Sequence, residues 1–273
     1  MIRFGLRGLR AAILQLAAVA GLMLALVGTA TAATPESVRV MRGLLSSTVQ
    51  VIVEREGGSR RTGSSIALAT DATTRKTILL TAAHVVAPGI SQKVSAMTPL
   101  RRDGRPAEVL AVDHDVDLAI VEVADIEVTP VDFAVQGLLG EEVWVAAFPW
   151  GGRISVVGGV ISQIIWRTTD TSAEIPLSGP VTLIDATVSH GMSGGGVFNR
   201  ESGALLGIVR SYRTVQLTLP GEPERAITFP VGGETTIVPT LRILCFLADS
   251  GHRELVPASL RSSLTGDACS SKE

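Results

Sequence analysis

The chain has 273 residues, 46% of them apolar and 18% charged, which is enough to bury a sizeable core. Its 24 basic residues against 26 acidic ones give a formal charge of −2, without the basic surplus that nucleic-acid binding requires. Two cysteines alone do not make a metal site, and they suffice for one disulfide.

Residues 1–33 read as a signal peptide. Arg3, Arg7 and Arg10 form a basic start, 11–27 is an apolar run broken by Gln15, and Ala30-Thr31-Ala32 offers small residues to a signal peptidase. Cleavage near Ala33 leaves 21 basic against 26 acidic residues, about −5. If retained, the same run is a short membrane anchor, and this is the one route to a membrane partner. In both cases the rest of the chain is expected outside the cytoplasm, periplasmic or secreted. Thr34 as a cap and Pro35 at the first turn then predict a helix with Val38, Met41 and Leu45 on one face. Short apolar runs follow at 48–54, 64–69, 77–81, 108–112, 118–123, 142–147, 155–162, 181–184 and 205–209, separated by Gly, Pro, Asp or Arg. Such a series implies an all-β barrel or sandwich. Residues 214–224 read as a long loop, and 240–248 as a helix that closes near Gly251, ahead of a polar tail at 251–273.

Three places along this series carry chemistry. Thr81-Ala82-Ala83-His84 ends an apolar run with an imidazole, a group that titrates near neutral pH. Asp113, Asp115 and Asp117 precede the run Leu118-Ala119-Ile120, and a carboxylate there is able to orient an imidazole. Gly191-Met192-Ser193-Gly194-Gly195-Gly196 sets one hydroxyl among glycines just before the apolar Val197-Phe198. Glycines allow the surrounding amides to turn inward as donors, although a plain Gly-Ser turn would look the same. A serine hydroxyl becomes an effective nucleophile only beside a base. The order His, Asp, Ser is that of the chymotrypsin architecture and differs from subtilisin and the α/β-hydrolases.

These three blocks resemble those of the trypsin-like serine proteases, and within them the bacterial HtrA/Deg-type endopeptidases, whose serine block reads Gly-Asn-Ser-Gly-Gly. Phe148-Pro149-Trp150-Gly151 is similar to that family's aromatic-Pro-x-Gly loop, and Gly159-Val160-Ile161-Ser162 to its Gly-Ile-Val-Ser strand. The likeness runs in one order from about Thr48 to Val209. It implies two six-stranded antiparallel β-barrels with a C-terminal helix, the first over 34–126 and the second over 127–250. It also implies His84 as general base, Asp117 as its orienting carboxylate, Ser193 as nucleophile, and the backbone N–H groups of Gly191 and Ser193 as oxyanion hole. Protein or peptide substrates follow from the same likeness, with no cofactor and no metal.

The chain departs from the family at two positions that matter. Gly194 stands where digestive relatives carry the aspartate that pairs with a new N-terminus, so activation of that kind is not expected. Met192 replaces the usual asparagine and is expected to alter the rim of the site. By the same resemblance Thr187, Val188, Ser189 and the strand 207–212, with Arg210, line the specificity pocket. Thr187 at the pocket base argues against Lys or Arg preference and for a small or medium uncharged residue; Arg210 or Arg213 facing the pocket would instead select an acidic one. An exported protein favours a Cys245–Cys269 bridge, whereas the stripe Leu241, Leu244, Cys245, Ala248 equally suits a buried thiol. Two alternatives to a peptidase are a catalytically silent peptide binder and an esterase with the same triad.

Overall fold

The computed structural model describes residues 34–87, 92–165, 176–219, 222–264 and 269. The expected leader, and residues 265–268 and 270–273 of the polar tail, lie outside the described residues. The opening helix α1 is Pro35–Ser47, and Thr34 Oγ1 accepts the Ser37 N–H at 3.1 Å to cap it. The chain divides after Arg39 into two units, and both barrels lie in the second, Val40–Glu273.

Six strands close the first barrel: β1 (Thr48–Glu54), β2 (Arg60–Asp71), β3 (Lys76–Thr81), β4 (Lys93–Met97), β5 (Arg105–Asp113) and β6 (Leu118–Ala124), in the order β1-β2-β3-β6-β5-β4. A single-turn helix α2, Ala83–Val86, follows β3 directly. After a short β7 (Gly137–Leu138) come β8 (Glu142–Ala147), β9 (Ser155–Ile164), β10 (Ser178–Gly179), β11 (Val181–Asp185), β12 (Gly196–Asn199), β13 (Leu205–Leu219) and β14 (Glu222–Pro239). The second barrel closes as β11-β14-β13-β12-β8-β9, and helix α3 (Thr240–Asp249) follows it. The fold is therefore mostly β, with two closed six-stranded antiparallel barrels and a C-terminal helix.

Alternation along the strands explains three separate cores. In β6 all four of Leu118, Ala119, Ile120 and Val121 are buried. Ala119 and Val121 point into the first barrel with Val51 and Leu79, whereas Leu118 and Ile120 join Ile66, Leu80, Phe198, Leu205, Ile208 and Leu244 in a seam between the barrels. Both faces of the strand leave water, which is why its sequence is a continuous apolar run. Val145, Ile161, Ile184, Val197 and Leu206 fill the second barrel.

The structure corrects the expected loop at 214–224. Residues 214–219 continue β13, and β14 starts at Glu222. Val215 and Leu217 alternate with threonine and glutamine and pair with Phe229 and Ile227, a strand pattern that the polar partners conceal in sequence. Cys245 and Cys269 are joined as a disulfide that ties residue 269 to α3.

Candidate active site

His84 stands on the one-turn helix α2, where β3 ends, and Asp117 just before β6. The two strands are paired up to Thr81 and Ala119, so their ends bring these residues together. His84 Nδ1 lies 2.9 Å from Asp117 Oδ2 and 3.1 Å from Oδ1, and Oδ1 also accepts the His84 backbone N–H at 2.9 Å. A second tie comes from the Ala83 N–H, which donates to the Asp117 carbonyl at 3.1 Å. Asp117 adopts φ +62, a left-handed conformation that aspartate tolerates better than most residues. The carboxylate is largely buried, while the imidazole keeps one exposed edge. Because a carboxylate only accepts, Nδ1 carries the proton and Nε2 of the neutral ring is left as an acceptor.

Asp113 and Asp115 are not part of this pair. Asp113 Oδ1 accepts the N–H groups of Asp115 and Val116 and closes the turn before Asp117. Arg61 donates to the His84 carbonyl. Its guanidinium is held below the usual arginine range, by burial first and by the nearby Arg55 second.

The Ser193 loop comes from the second barrel and is locked onto the first. Ser64, fully buried on β2, donates its N–H to the Ser193 carbonyl at 2.9 Å and its hydroxyl to the Gly191 carbonyl at 2.8 Å. The same hydroxyl accepts the Phe148 N–H at 2.8 Å, and Thr81 Oγ1 donates to the Ser64 carbonyl at 2.7 Å. Gly194 has φ +81, and a Cβ there would run into the Ser64 carbonyl and Thr81 Oγ1 and come within 3.0 Å of Ala82 N. The Ser193 loop thus rests directly on the segment that leads into His84. Ser193 Oγ makes no hydrogen bond among the described residues.

Backbone donors around Ser193 divide into used and free. The N–H of Met192 bonds to Ser189, that of Gly194 to Val209 at 2.8 Å, and that of Gly195 to Met192. Those of Gly191 and Ser193 have no acceptor among the described residues. Gly191, at φ +85, has its Cβ position only 2.6 Å from the Phe148 carbonyl. The preceding His190 carbonyl accepts the Trp150 N–H at 2.6 Å. In a planar trans peptide the carbonyl and the N–H point opposite ways, so this bond aims the Gly191 N–H away from Trp150. Trp150 also sets its indole edge-on to the His190 ring, with centroids 4.9 Å apart.

With this geometry in place, residues 63–208 match the profile of the trypsin-like peptidase domain. The chain belongs to the trypsin-like peptidases. It is a serine endopeptidase, a hydrolase whose family acts on proteins or peptides. No curated protein sequence matches this peptidase. Among solved structures, it is similar to the Rv3671c protease of M. tuberculosis H37Rv in its inactive form, with 22% identity and a TM-score of 0.56 over 81% of this chain and 98% of that one. It is also similar to a serine endoprotease from Yersinia pestis, with 19% identity and a TM-score of 0.54 over 82% of this chain and 67% of that one. At such identities the likeness is one of fold, here the two-barrel chymotrypsin fold.

The remaining sequence-predicted residues of this peptidase fall in different places. Thr187 is exposed, Val188 is buried in the core of the second barrel, and Ser189 donates its N–H to Met192 Sδ. Arg210 places Nε 3.9 Å from Asp117 Oδ2 and borders a cavity of about 650 Å³ with Asp113, Asp115 and Arg242. Arg213 pairs with Glu234 at 2.9 Å. Met192, expected to alter the rim in place of asparagine, is buried: its side chain packs in the core of the second barrel and its Sδ accepts the Ser189 N–H. Sequence reasoning missed Ser64 and Trp150 as supports of the loop. The one available signal for Ser64 was a hydroxyl at a strand position flanked by small residues, Gly63 and Ser65.

Proposed function

We propose that this trypsin-like peptidase is exported to the periplasm or beyond and cuts polypeptides with His84, Asp117 and Ser193. His84 Nε2 takes the Ser193 proton as Oγ attacks the scissile carbonyl carbon. The carbonyl oxygen, now negative, accepts hydrogen bonds from the N–H groups of Gly191 and Ser193. His84 then delivers the proton to the departing amine. Water enters, loses a proton to His84 and releases the acyl group from Ser193, which regains its hydrogen. Asp117 holds the ring so that Nε2 faces the reaction and balances the imidazolium charge between steps. Proton transfer and oxyanion stabilisation each contribute on the order of 10² to 10³-fold.

The observation that carries this reading is the pair of unbonded N–H groups at Gly191 and Ser193, on a loop anchored beside a 2.9 Å imidazole–carboxylate contact. Free, oriented donors next to a hydroxyl serve acyl transfer directly. The leader-like start of the sequence supports export. The uncharged character of Thr187, together with Arg210 lying beside Asp117, supports a small or medium uncharged residue at the cleavage point.

A fluorophosphonate probe tests the mechanism. The wild type is expected to label and to digest casein, and Ser193→Ala to do neither. A folded wild type that stays unlabelled overturns the triad reading, and one that labels and cleaves simple esters but not casein overturns the polypeptide substrate.

A further inference from the structure

The far half of the β13–β14 hairpin has no function in the scheme above. β12 pairs with β13 only as far as Ile208, where Gly196 faces it, and the Gly194–Val209 and Val209–Gly195 bonds end that contact. β11 meets β14 only at Thr235 and Thr236. Beyond Tyr212 and Thr235, β13 and β14 form a two-stranded arm whose outer edges pair with no other strand among the described residues. An isolated hairpin of this kind is only marginally stable in water, and a free strand edge is a template for another strand.

One face of the arm is apolar. Val215 pairs with Phe229 and Leu217 with Ile227, so all four side chains share a face, and each is between 45% and 57% exposed. The opposite face presents Thr214, Gln216, Thr218 and Thr228. From Thr214 to Leu219 and from Ala226 to Pro230 the sequence carries no charge, and at the base Arg213 is already matched by Glu234. The free edge of β13 begins at Arg210, one residue after the last contact with the nucleophile loop. β13 thus runs as one strand from its contact with the Ser193 loop onto the arm, with register shifts at Val209/Ser211 and Tyr212/Thr214, and a polypeptide lying at Ser193 is offered its free edge.

We infer that the arm is a substrate exosite: an unfolded polypeptide held at Ser193 adds as a third strand along β13 and rests uncharged, apolar side chains on Val215, Leu217, Ile227 and Phe229. The inference builds on the proposed peptidase reading and names its substrate class, extended chains with an apolar stretch away from the scissile bond. At about 3.3 Å per residue, the apolar face is met roughly five to seven residues from that bond. Backbone pairing supplies affinity and the face supplies selectivity, as in other strand-addition complexes.

The test compares quenched-fluorescent peptides cut by the full chain. One holds four residues around the cleavage point; the others carry ten more, apolar or Gly/Ser, on either side. The apolar extension on one side is expected to raise kcat/KM about tenfold, and N-methylation of alternate amides in it to remove the gain. In the triple variant Val215→Thr, Leu217→Thr, Phe229→Thr the long-to-short ratio falls towards one, with unchanged thermal melting as the check on folding. Fluorescence anisotropy of the long peptide on Ser193→Ala, with and without the triple change, reads arm binding even if no peptide is cleaved, so failure of the catalytic reading stays separable. Equal rates and affinities for apolar and Gly/Ser extensions overturn the exosite. So does a triple variant that leaves peptide binding intact while converting a dimer to a monomer or abolishing adhesion to phosphatidylglycerol vesicles, since the face then belongs to a second copy or to a membrane.

Discussion

Ser64 engages three different segments with one residue, and no part of its polar surface is wasted. Its N–H, hydroxyl and carbonyl reach Ser193, Gly191, Phe148 and Thr81. Replacement by alanine leaves the Phe148 N–H without its acceptor in a buried place and frees the Gly191 carbonyl. Unsatisfied buried groups cost about 1–3 kcal/mol. Ser64→Ala is therefore expected to lower stability by about 2 kcal/mol in urea titrations and to reduce kcat more than KM, because the Gly191 peptide loses a constraint that matters when charge develops. Unaltered kcat in a folded Ser64→Ala protein would mean that the hydroxyl merely packs. His84, Asp117 and Ser193 stand out in the sequence because each opens or closes an apolar run. Ser64 does not, since its importance lies in contacts with residues far along the chain.

At the scale of elements, legibility followed hydrophobic pattern. The strands β1 and β8 coincide with the predicted runs, and α3 ends within a residue of its predicted limit. β4, built from Lys93-Val94-Ser95-Ala96-Met97, was missed because small and polar residues hide its alternation, and β14 because it is rich in Thr, Gly and Pro. In both, pairing with neighbours overrides weak local preference. The disulfide from α3 to residue 269 closes a loop over a separation of 24 residues. Loop-closure entropy for that length is worth about 3 kcal/mol. Cys269→Ser should lose up to that amount in chemical denaturation, and adding a reductant should bring the wild type down to the same midpoint. If reductant leaves the wild-type midpoint in place, the bridge adds nothing to stability.

For the molecule as a whole, the seam decides whether the site exists. Ile66, Leu80, Leu118 and Ile120 from one barrel meet Phe198, Leu205 and Ile208 from the other, and this contact sets the distance between α2 and the serine loop. Phe198 is fully buried there, and Phe198→Ala is expected to cost about 3–5 kcal/mol. Fluorophosphonate labelling should fall at a lower temperature than the far-ultraviolet circular dichroism of the variant, because barrel separation scatters the reactive groups before the strands melt. Coincident loss of both signals would show that the barrels and the seam melt as one unit. The two-barrel plan was readable from the order of five short blocks. The seam was not, because residues such as Leu118 and Ala119 look alike in a run and only the closed sheet assigns them to opposite sides.

The carbonyls of Gly191 and Ser193 are fastened to Ser64, and that of His190 to Trp150. On the proposed reading, the donor pair of this protease is set by its own buried Ser64 and by Trp150, and needs no trimming cut to form. On the same reading, restraint comes from geography: proposed export carries the chain away from the proteins of the cytoplasm before it meets the unfolded chains of another compartment.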